Sequence, residues 1–414
     1  MTIPQAIDEQ LRSIVGAQRV SGAPADMRCK VVVSPGTEKE AAAVLACADQ
    51  AGLAVIPQGG GTKLRWGNPP ERADILLSMS RLDRVIEHAW ADLTVAVEAG
   101  CTMQNLQDTL AKLGQRLALD CLWPQKATVG GILSTNDSGV LRLRYGALRD
   151  LIIGVTIALP DGTLATSGGK VVKNVAGYDL PKLVTGALGT LGVITRAIFR
   201  THPVCSGSLT LGFNAPDFQA MQEKVLAIQN SQLAHAALQI RASRAGGLEA
   251  DVLFEGRIAG LQAQEKRLHA VIGAGVASAD HRGWRAKEDL WNDARAESVI
   301  AKVIVIPAML ARTLETLKSV AAAKGLTWKA VMQATGIGWI RMDGTEPGAL
   351  ASVAEIRNAA EANGGSLTIL QCPASTEPMD CWGATADSIS LMRAVKQQFD
   401  PKRTLNPGRF VGGI

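Results

Sequence analysis

The chain has 414 residues, 47% of them hydrophobic, so it can bury a sizeable core and lies outside the composition of disordered proteins. Its 43 Lys and Arg residues against 38 Asp and Glu residues give a net charge of +5 without a long run of like charge, a pattern that does not favour nucleic-acid binding. The seven cysteines include no C-x-x-C pair and the five histidines are isolated, so the sequence predicts no iron–sulfur cluster and no metal site. Any redox chemistry therefore requires an organic cofactor.

Targeting segments are not predicted. The first residues, MTIPQAIDEQLRS, carry acids and no apolar h-region, so a signal peptide is not expected. No apolar run reaches the roughly 18–20 residues that a bilayer span requires. The odd number of scattered cysteines indicates reduced thiols, as in cytosolic proteins. We therefore expect a cytoplasmic protein, which partner subunits can hold at a membrane.

The first half of the chain alternates short apolar strands with helices. Strands are predicted at residues 30–34, 53–57, 75–78, 94–98, 151–159 and 193–200. Helices are predicted at residues 37–52 and 102–114, each with a threonine at the N-cap and a glycine at its end. Interleaved strands and helices of this kind are typical of an α+β or α/β domain of about 200 residues.

The second half follows a different order. Residues 301–371 predict strand, helix, strand, strand, helix and strand, which is the ferredoxin-like order. Residues 208–272 show a similar order, with helices at 216–230 and 257–270. Two such units side by side would form one antiparallel sheet covered by helices. A last helix is predicted at 388–398.

The strongest functional signal is the sequence PQGGGT, in which three glycines at 59–61 follow an apolar strand. Glycine adopts positive φ freely and lets the backbone approach a ligand, and successive N–H groups in such a turn bind anions. A phosphate or pyrophosphate is therefore the expected ligand. The P-loop pattern does not fit, because the residue before Lys63 is Thr62 and not glycine, and the helix-opening G-x-G-x-x-G of dinucleotide folds is absent.

Two further glycine-rich segments stand next to predicted strands. Residues 127–139, ATVGGILSTNDSG, offer glycines for a close approach and small hydrogen-bonding side chains at Ser134, Asn136 and Ser138. Residues 186–195, GALGTLGVIT, place glycines three apart before an apolar strand. One such loop is a weak signal, whereas three in this arrangement indicate a common binding site.

These motifs together resemble the vanillyl-alcohol oxidase/p-cresol methylhydroxylase-type FAD-binding family. The matching sequences are P-x-G-G-G-T at 57–62, A-T-x-G-G…N-x-S-G at 127–139, R-Y-G-x-x-R-D at 144–150, G-T-L-G-V-I at 189–194 and F-D-P…L-N-P-G-R at 399–409. The stretch Lys170–Leu180 resembles a narrower signature, that of the FAD-binding (E) subunit of bacterial glycolate oxidases. The resemblance covers residues 25–203 and the C-terminal tail.

The resemblance implies an α+β fold with an FAD-binding domain of p-cresol methylhydroxylase type, built from two α/β subdomains, and a cap domain with an antiparallel ferredoxin-like sheet. The implied domains are residues 1–203 for FAD binding, residues 204–384 for the cap that meets substrate or partner, and residues 385–414 for a C-terminal segment that returns to the FAD domain. The cap resembles the family in its architecture alone.

By resemblance, the cofactor is FAD and the three glycine-rich segments bind it. The first segment would hold the pyrophosphate, the second the rest of it and the isoalloxazine, and the third the adenosine half. Asn406 would reach the flavin from the far side, and the backbone at Glu98–Gly100 is expected near the cofactor. The implied cofactor-binding residues are Pro57, Gly59, Gly60, Gly61, Thr62, Lys63, Thr128, Val129, Gly130, Gly131, Ser134, Asn136, Ser138, Gly139, Gly189, Val193, Ile194 and Asn406.

Two departures from the family pattern bear on the chemistry. The glycine turn has no histidine, cysteine or tyrosine, and family members with covalent FAD commonly attach it through a histidine near these loops, so noncovalent FAD is expected. Residues 204–414 contain neither the H-G-D-G-N…H nor the E-H-G motif with which the family's 2-hydroxy-acid dehydrogenases hold a metal and abstract a proton. No metal is therefore expected and no catalytic residue is assigned. Cap cations able to bind a substrate carboxylate are Arg285, Arg295, Lys302 and Arg341.

The resemblance implies an FAD-binding subunit of a multi-subunit glycolate (2-hydroxy-acid) oxidase, which passes electrons from substrate through FAD to a partner subunit. The implied partners are a sister flavoprotein subunit, an iron–sulfur subunit and a small hydroxy acid such as glycolate or D-lactate, with no nucleic acid and no direct membrane span. Two alternatives stay open: a non-catalytic assembly subunit whose FAD is structural, and a self-sufficient FAD-dependent oxidase of an alcohol or sugar acid. An NADPH-dependent reductase is the least favoured, because no set of donor residues for it can be assigned.

Overall fold

The computed structural model of the chain describes residues 3–24, 29–170, 177–373 and 379–414. Residues 171–176, the centre of the predicted Lys170–Leu180 signature, lie outside the described residues. Contacts between residues divide the chain into two compact units. Unit 1 comprises residues 1–139, 146–204 and 384–414, and unit 2 comprises residues 140–145 and 205–383.

Unit 1 is built from two main sheets. Its strands are β1 (Val20–Gly22), β2 (Val31–Val33), β3 (Val55–Gln58), β4 (Ile75–Ser78), β5 (Val85–Ala89), β6 (Thr94–Glu98), β7 (Gln115–Arg116), β8 (Ile152–Ala158), β9 (Leu164–Gly168), β10 (Val193–Arg200) and β11 (His202–Pro203). The first sheet has the order β1-β2-β4-β3, with β2, β4 and β3 parallel. The second has the order β5-β6-β10-β8-β9 and is antiparallel throughout, while β7 pairs with β11.

Two of the helices in the first 204 residues, α2 and α3, begin directly after the threonine predicted as their N-cap. They are α1 (Gln5–Val15), α2 (Glu38–Gln50), α3 (Met103–Ala111), α4 (Val129–Thr135), α5 (Arg142–Tyr145), α6 (Leu148–Leu151) and α7 (Leu180–Val184). In α2, Thr37 Oγ1 accepts a hydrogen bond from the N–H of Glu40 at 3.1 Å, and Glu40 Oε2 accepts one from the N–H of Gly36 at 2.7 Å. The threonine thus caps an N–H group that the first turn of the helix leaves open, and the glutamate holds the residue before the N-cap. At α3, the hydroxyl of Thr102 accepts from the N–H of Asn105.

Unit 2 contains one eight-stranded antiparallel sheet. Its strands are β12 (Gly207–Asn214), β13 (His235–Ser243), β14 (Leu248–Gly256), β15 (Ala277–Ser278), β16 (Val299–Ile304), β17 (Thr327–Gln333), β18 (Ile337–Asp343) and β19 (Ser366–Gln371). The remaining helices are α8 (Phe218–Gln229), α9 (Ile258–Ile272), α10 (Ala286–Asn292), α11 (Leu310–Ala323), α12 (Glu346–Glu361) and, in unit 1, α13 (Ile389–Phe399). In the described part of the chain, no helix has both the length and the apolar composition needed to cross a bilayer.

The sheet of unit 2 consists of two ferredoxin-like units side by side, as predicted. The strand order is β15-β12-β14-β13-β17-β18-β16-β19, and both β12-α8-β13-β14-α9-β15 and β16-α11-β17-β18-α12-β19 follow the ferredoxin-like chain order. Strand β13 joins the halves by pairing with β17, where Ile240 faces Met332. Along β18, Ile340 and Met342 belong to the core that includes residues of α8, α11 and α12, so Trp339 and its alternate neighbours lie on the other face.

A buried ion pair binds the C-terminal segment into unit 1. Lys396 of α13 places its ammonium against the carboxylate of Asp400, and their side chains are 6% and 0% exposed. The same ammonium donates to the carbonyl oxygen of Thr190 at 2.8 Å and to that of Leu405 at 2.9 Å. Lys396 therefore connects the helix to the third glycine-rich segment as well as to the tail.

The tail then pairs with β3, the strand that leads into the glycine turn. The N–H of Val55 donates to the carbonyl of Thr404 at 2.7 Å, and the N–H of Asn406 donates to the carbonyl of Val55 at 3.1 Å. Asp400 supports this path by accepting the N–H groups of Thr404 and Leu405. The tail is thus held in place at the base of the glycine turn.

Candidate functional site

Unit 1 contains a cavity, partly open to solvent, where four chain segments meet. The four segments are the glycine turn at 57–64, helix α4 with the residue before it at 128–135, residues 188–194 at the start of β10, and the tail residues Asn406 and Arg409. Met79 and Ala99 complete the walls. Since β3 runs directly into the glycine turn and β10 begins in the third segment, both sheets fix the cavity walls.

Most of the residues predicted to bind the cofactor line this cavity. They are Pro57, Gly59, Gly60, Gly61, Thr62, Lys63, Thr128, Gly130, Gly131, Ser134, Gly189, Val193, Ile194 and Asn406. The cavity also contains residues that the sequence did not single out, namely Gln58, Leu64, Met79, Thr135, Leu188, Gly192 and Arg409. Ala99, in the segment expected near the cofactor, lines it too.

Four predicted residues, Val129, Asn136, Ser138 and Gly139, do not line this cavity. Val129 is part of a hydrophobic core of unit 1. Asn136 ends α4 in the left-handed region, with φ of 48°, and the chain then turns away. At Gly139 a Cβ would lie 1.7 Å from Asp120 Oδ2.

The glycine turn leaves no room for side chains. A Cβ on Gly60 would lie 1.7 Å from the carbonyl oxygen of Lys126, and one on Gly59 would lie 1.9 Å from Thr128 Oγ1. The backbone of the turn therefore packs directly against the chain that leads into α4. Within the described residues, the N–H groups of Gly59, Gly60 and Gly61 donate to no backbone carbonyl. A row of open N–H groups at a cavity wall suits an anion such as a diphosphate.

Two buried side-chain oxygens at the cavity, Gln58 Oε1 and Thr128 Oγ1, have no hydrogen-bond partner among the described residues. A buried polar atom without a partner costs about 1–3 kcal/mol, so folded proteins keep few of them. A ligand that hydrogen-bonds to both atoms removes this cost. The residues present therefore fit a ligand with phosphate oxygens and hydroxyl groups, as FAD has.

Replacement of Thr128 by valine is expected to change the apoprotein and its FAD complex in opposite directions. Valine keeps the shape of threonine but lacks the unpaired hydroxyl, so the apoprotein should gain about 1 kcal/mol of stability. The dissociation constant for FAD should rise about tenfold, because the hydroxyl's bond to the ligand is lost. Thermal unfolding of the apoprotein and fluorescence titration with FAD measure the two effects.

The matched control is Thr185→Val, because the buried hydroxyl of Thr185 already donates to the carbonyl of Pro181 at 2.7 Å. Its removal should destabilise the apoprotein by about 1 kcal/mol and leave FAD affinity unchanged. A Thr128→Val apoprotein that is less stable than wild type, with unchanged FAD affinity, would contradict the expected role of the hydroxyl.

Lys63 contributes to the cavity wall, but its charge is already paired. Its ammonium lies 3.1 Å from the carboxylate of Asp137, and the two side chains are only 4% and 1% exposed. The rings of Trp66 and Trp123 lie 5.7 and 5.5 Å from the same ammonium, within the range of a cation–π contact. Lys63 thus fixes the end of the glycine turn against the segment after α4.

The tail supplies two side chains to the cavity. Asn406 adopts the left-handed conformation, with φ of 43°, and its Nδ2 donates to the carbonyl oxygen of Leu188 at 2.6 Å. Arg409 is 4% exposed, and burial lowers its pKa from 12.5 to about 10, so it is protonated at neutral pH. Asn406 was predicted to reach the flavin and Arg409 was not singled out, although both belong to the L-N-P-G-R sequence at 405–409.

The four candidate cations of the cap differ in their surroundings. Arg341 of β18 is 4% exposed, and its Nε donates to Asp343 at 2.9 Å, so this guanidinium is engaged within unit 2. Arg285 and Arg295 are exposed, and Lys302 is half-buried on β16. Across residues 3–24, 29–170, 177–373 and 379–414, no group of three or more His, Cys, Asp or Glu side chains is placed to hold a metal ion.

Comparison with protein families agrees with this site. Residues 29–168 match the FAD binding domain family, and residues 382–410 match the C-terminal domain of FAD linked oxidases. The first match contains the glycine turn and the start of α4, and the second contains α13 and the tail residues of the cavity. The predicted resemblance to an FAD-binding family is therefore confirmed.

Three relatives indicate the kind of enzyme. The chain is 27% identical over 407 residues to a D-lactate dehydrogenase of Archaeoglobus fulgidus, with 92% of this chain and 91% of the relative covered. It is 25% identical over 466 aligned positions to a D-2-hydroxyglutarate dehydrogenase of Xanthomonas citri pv. viticola, with 99% and 97% covered. It is 31% identical over 172 residues to the glycolate oxidase subunit GlcD of Bacillus subtilis, with 42% and 37% covered.

The fold itself has a solved counterpart in p-cresol methylhydroxylase. The structure of that enzyme with substrate bound superimposes with a TM-score of 0.80 at 15% identity, covering 98% of this chain and 96% of the enzyme. At this identity the likeness concerns the fold alone. It confirms the predicted fold class of an FAD-binding domain of p-cresol methylhydroxylase type with a cap.

Proposed function

We propose that this chain oxidises the CH–OH group of a small 2-hydroxy acid. It is an FAD-linked oxidoreductase, with an FAD binding domain at residues 29–168 and the C-terminal domain of FAD linked oxidases at residues 382–410. Two relatives aligned with more than nine tenths of the chain are dehydrogenases of D-lactate and of D-2-hydroxyglutarate, both 2-hydroxy acids. The observation that carries the proposal is the cavity of unit 1, where open N–H groups and unpaired buried oxygens meet.

The part of this chain in the reaction is to bind and orient the cofactor. When bound, FAD supplies the acceptor for the hydride that leaves the substrate carbon. The N–H groups of Gly59–Gly61 bind the diphosphate, the hydroxyl of Thr128 donates to it, and the contact of Asn406 with Leu188 holds the opposite wall. That the residues predicted from the sequence bind the cofactor is part of this proposal.

FAD is bound noncovalently in this proposal. None of the cavity-lining residues at 57–64 is a histidine, cysteine or tyrosine, the kinds of side chain that attach flavin. Acid precipitation of the purified protein tests the point, because a dissociable flavin appears in the supernatant. A flavin that stays in the pellet would show a covalent bond.

We further propose that the chain works as a subunit of a cytoplasmic glycolate or D-lactate oxidising complex. The likeness to a glycolate oxidase subunit supports this assignment. The absence of the family's H-G-D-G-N and E-H-G motifs from the sequence of residues 204–414 supports a sister flavoprotein that carries the base, with an iron–sulfur subunit taking the electrons onward. A non-catalytic assembly subunit with a structural flavin is the second candidate on the same observation.

Anaerobic reduction of the flavin by substrate tests these assignments. The chain is purified with its partner subunits, and the visible flavin absorption is recorded before and after addition of glycolate, D-lactate or D-2-hydroxyglutarate. Bleaching of this chain's flavin supports the proposed oxidation. If all three acids leave it oxidised while they reduce the sister flavoprotein, the subunit is structural and the proposed activity is wrong.

A matched sample separates direct from indirect reduction. In a complex whose sister subunit has been inactivated by substitution, continued bleaching shows that this chain's own flavin receives the hydride. The chain purified alone provides the third case, since turnover without partners indicates a self-sufficient oxidase. L-lactate, of the same charge and size as D-lactate, controls for effects of the acid itself.

A further inference from the structure

Arg409 reaches from the C-terminal tail to the turn that follows the three glycines. Its Nη2 donates to the carbonyl oxygens of Lys63 at 3.1 Å and Leu64 at 2.7 Å, and its Nε donates to that of Trp66 at 3.1 Å. A planar guanidinium has its donors in a fixed fork, so Arg409 holds these three carbonyl groups in one arrangement. The conformation of residues 63–66 is therefore fixed by a residue of the tail.

We propose that Arg409 is a positioning residue for the diphosphate of FAD. Its side chain holds the glycine turn in the conformation that binds the diphosphate, and it adds a positive charge at the cavity wall. This inference rests on the FAD binding proposed above and is independent of the substrate. The ligand group that it concerns is a diphosphate, as present in both FAD and ADP.

The location of Arg409 is itself tied to the opposite wall of the cavity. Its Nη1 lies 3.4 Å from Oδ1 of Asn406, whose Nδ2 donates to the carbonyl of Leu188 at 2.6 Å. One pair of tail residues thus connects the glycine turn to the segment at 188–194. Because both walls depend on the same two side chains, a change at Arg409 alters the distance between them.

The charge of Arg409 acts together with its geometry. The guanidinium is 4% exposed and lines the cavity, so water screens it little. The ammonium of Lys63, the other cation of this wall, lies against Asp137 and forms a neutral pair with it. A diphosphate carries at least two negative charges, and a fixed positive charge beside it strengthens binding.

The test measures binding of FAD and of ADP to the apoprotein without any hydroxy acid. Arg409→Gln removes both the positive charge and the forked set of guanidinium donors. Arg409→Lys keeps the charge but removes the forked set of donors. Arg65→Gln, in the same turn but exposed, removes one charge without touching the fork and is the matched control. We expect Arg409→Gln to raise the dissociation constants of FAD and ADP about 10- to 100-fold. Arg409→Lys should raise them by an intermediate factor, and Arg65→Gln should leave them near the wild-type values.

Three results would overturn the proposal. One is an Arg409→Gln apoprotein that binds ADP as tightly as wild type. The second is an equal loss in Arg65→Gln, which would make net charge the cause. The third is an Arg409→Lys variant with full affinity, which would leave the fork without a role. A wild-type apoprotein that binds neither FAD nor ADP would instead overturn the cofactor site of the proposed function.

A second measurement covers the case in which Arg409→Gln does not fold. Amide hydrogen exchange of the wild-type apoprotein is compared with and without ADP. We expect ADP to slow exchange at residues 59–66 and, because Arg409 joins them, at Asn406, Gly408 and Arg409 as well. Protection of the glycine turn without any change in the tail would contradict the coupling.

Discussion

Replacing Gly60 by alanine is expected to abolish retention of FAD through purification, with less than about a tenth of the wild-type flavin content. The added Cβ would lie 1.7 Å from the carbonyl oxygen of Lys126, a backbone atom that cannot rotate away. To make room, the glycine turn must separate from the chain entering α4, and these are two walls of the cavity. The flavin-to-protein ratio and an FAD titration of the apoprotein measure the effect.

The matched control is Gly22→Ala, in the same unit. Among the residues that the structure describes, nothing lies within 4 Å of a Cβ at Gly22, so this variant should retain flavin like wild type. Neither glycine has a positive φ, so the two substitutions differ in space and not in backbone strain. Full flavin content in Gly60→Ala, with an FAD dissociation constant within about threefold of wild type, would show that this cavity is not the cofactor site.

Replacing Lys396 by methionine should lower the free energy of unfolding by about 3–5 kcal/mol. The substitution leaves the carboxylate of Asp400 buried without its cation, and the carbonyls of Thr190 and Leu405 lose a donor. Such a loss is a large part of the stability of an ordinary domain. Urea unfolding of the apoprotein measures it, with the fluorescence of the tryptophans as the signal.

An exposed ion pair provides the control for Lys396. Lys182 and Asp179 lie 3.0 Å apart at the surface, with side chains 56% and 53% exposed. Lys182→Met should therefore change the unfolding free energy by less than about 0.5 kcal/mol. If Lys396→Met costs no more than this control, the buried pair does not hold the tail in unit 1. A double variant with Asp400→Asn should recover part of the loss, because the uncompensated charge is removed.

Local signals in the sequence account for most of the elements. Strand β10 was predicted at 193–200 and lies there, because its β-branched and apolar residues follow a glycine-rich segment. Helix α2 was predicted with Thr37 at its N-cap, and the hydroxyl of Thr37 does accept from the N–H of Glu40. The β-α-β-β-α-β order along the chain predicted one antiparallel sheet in the second half, and unit 2 contains such a sheet. Each of these predictions uses residues that are neighbours in the chain.

The contacts that sequence reasoning missed join residues far apart in the chain. Arg409 and Trp66 are separated by 343 positions, and no local pattern relates them. Residues 140–145 belong by contacts to unit 2, although the sequence division placed them within 1–203. There Tyr145 donates to Glu255 Oε2 at 2.6 Å, a partner 110 positions away. The R-Y-G-x-x-R-D motif that contains Tyr145 was recognised, but a motif does not specify which distant strand its side chains contact.

The dependence of the glycine turn on the tail has a consequence for biosynthesis. A ribosome that adds about 5–20 residues per second makes Arg409 roughly 20 to 70 s after Trp66, its partner 343 positions earlier. Throughout that interval the nascent chain has the glycine turn without the residues that fix it. We therefore expect the flavin to bind at this site only after Arg409 has been made.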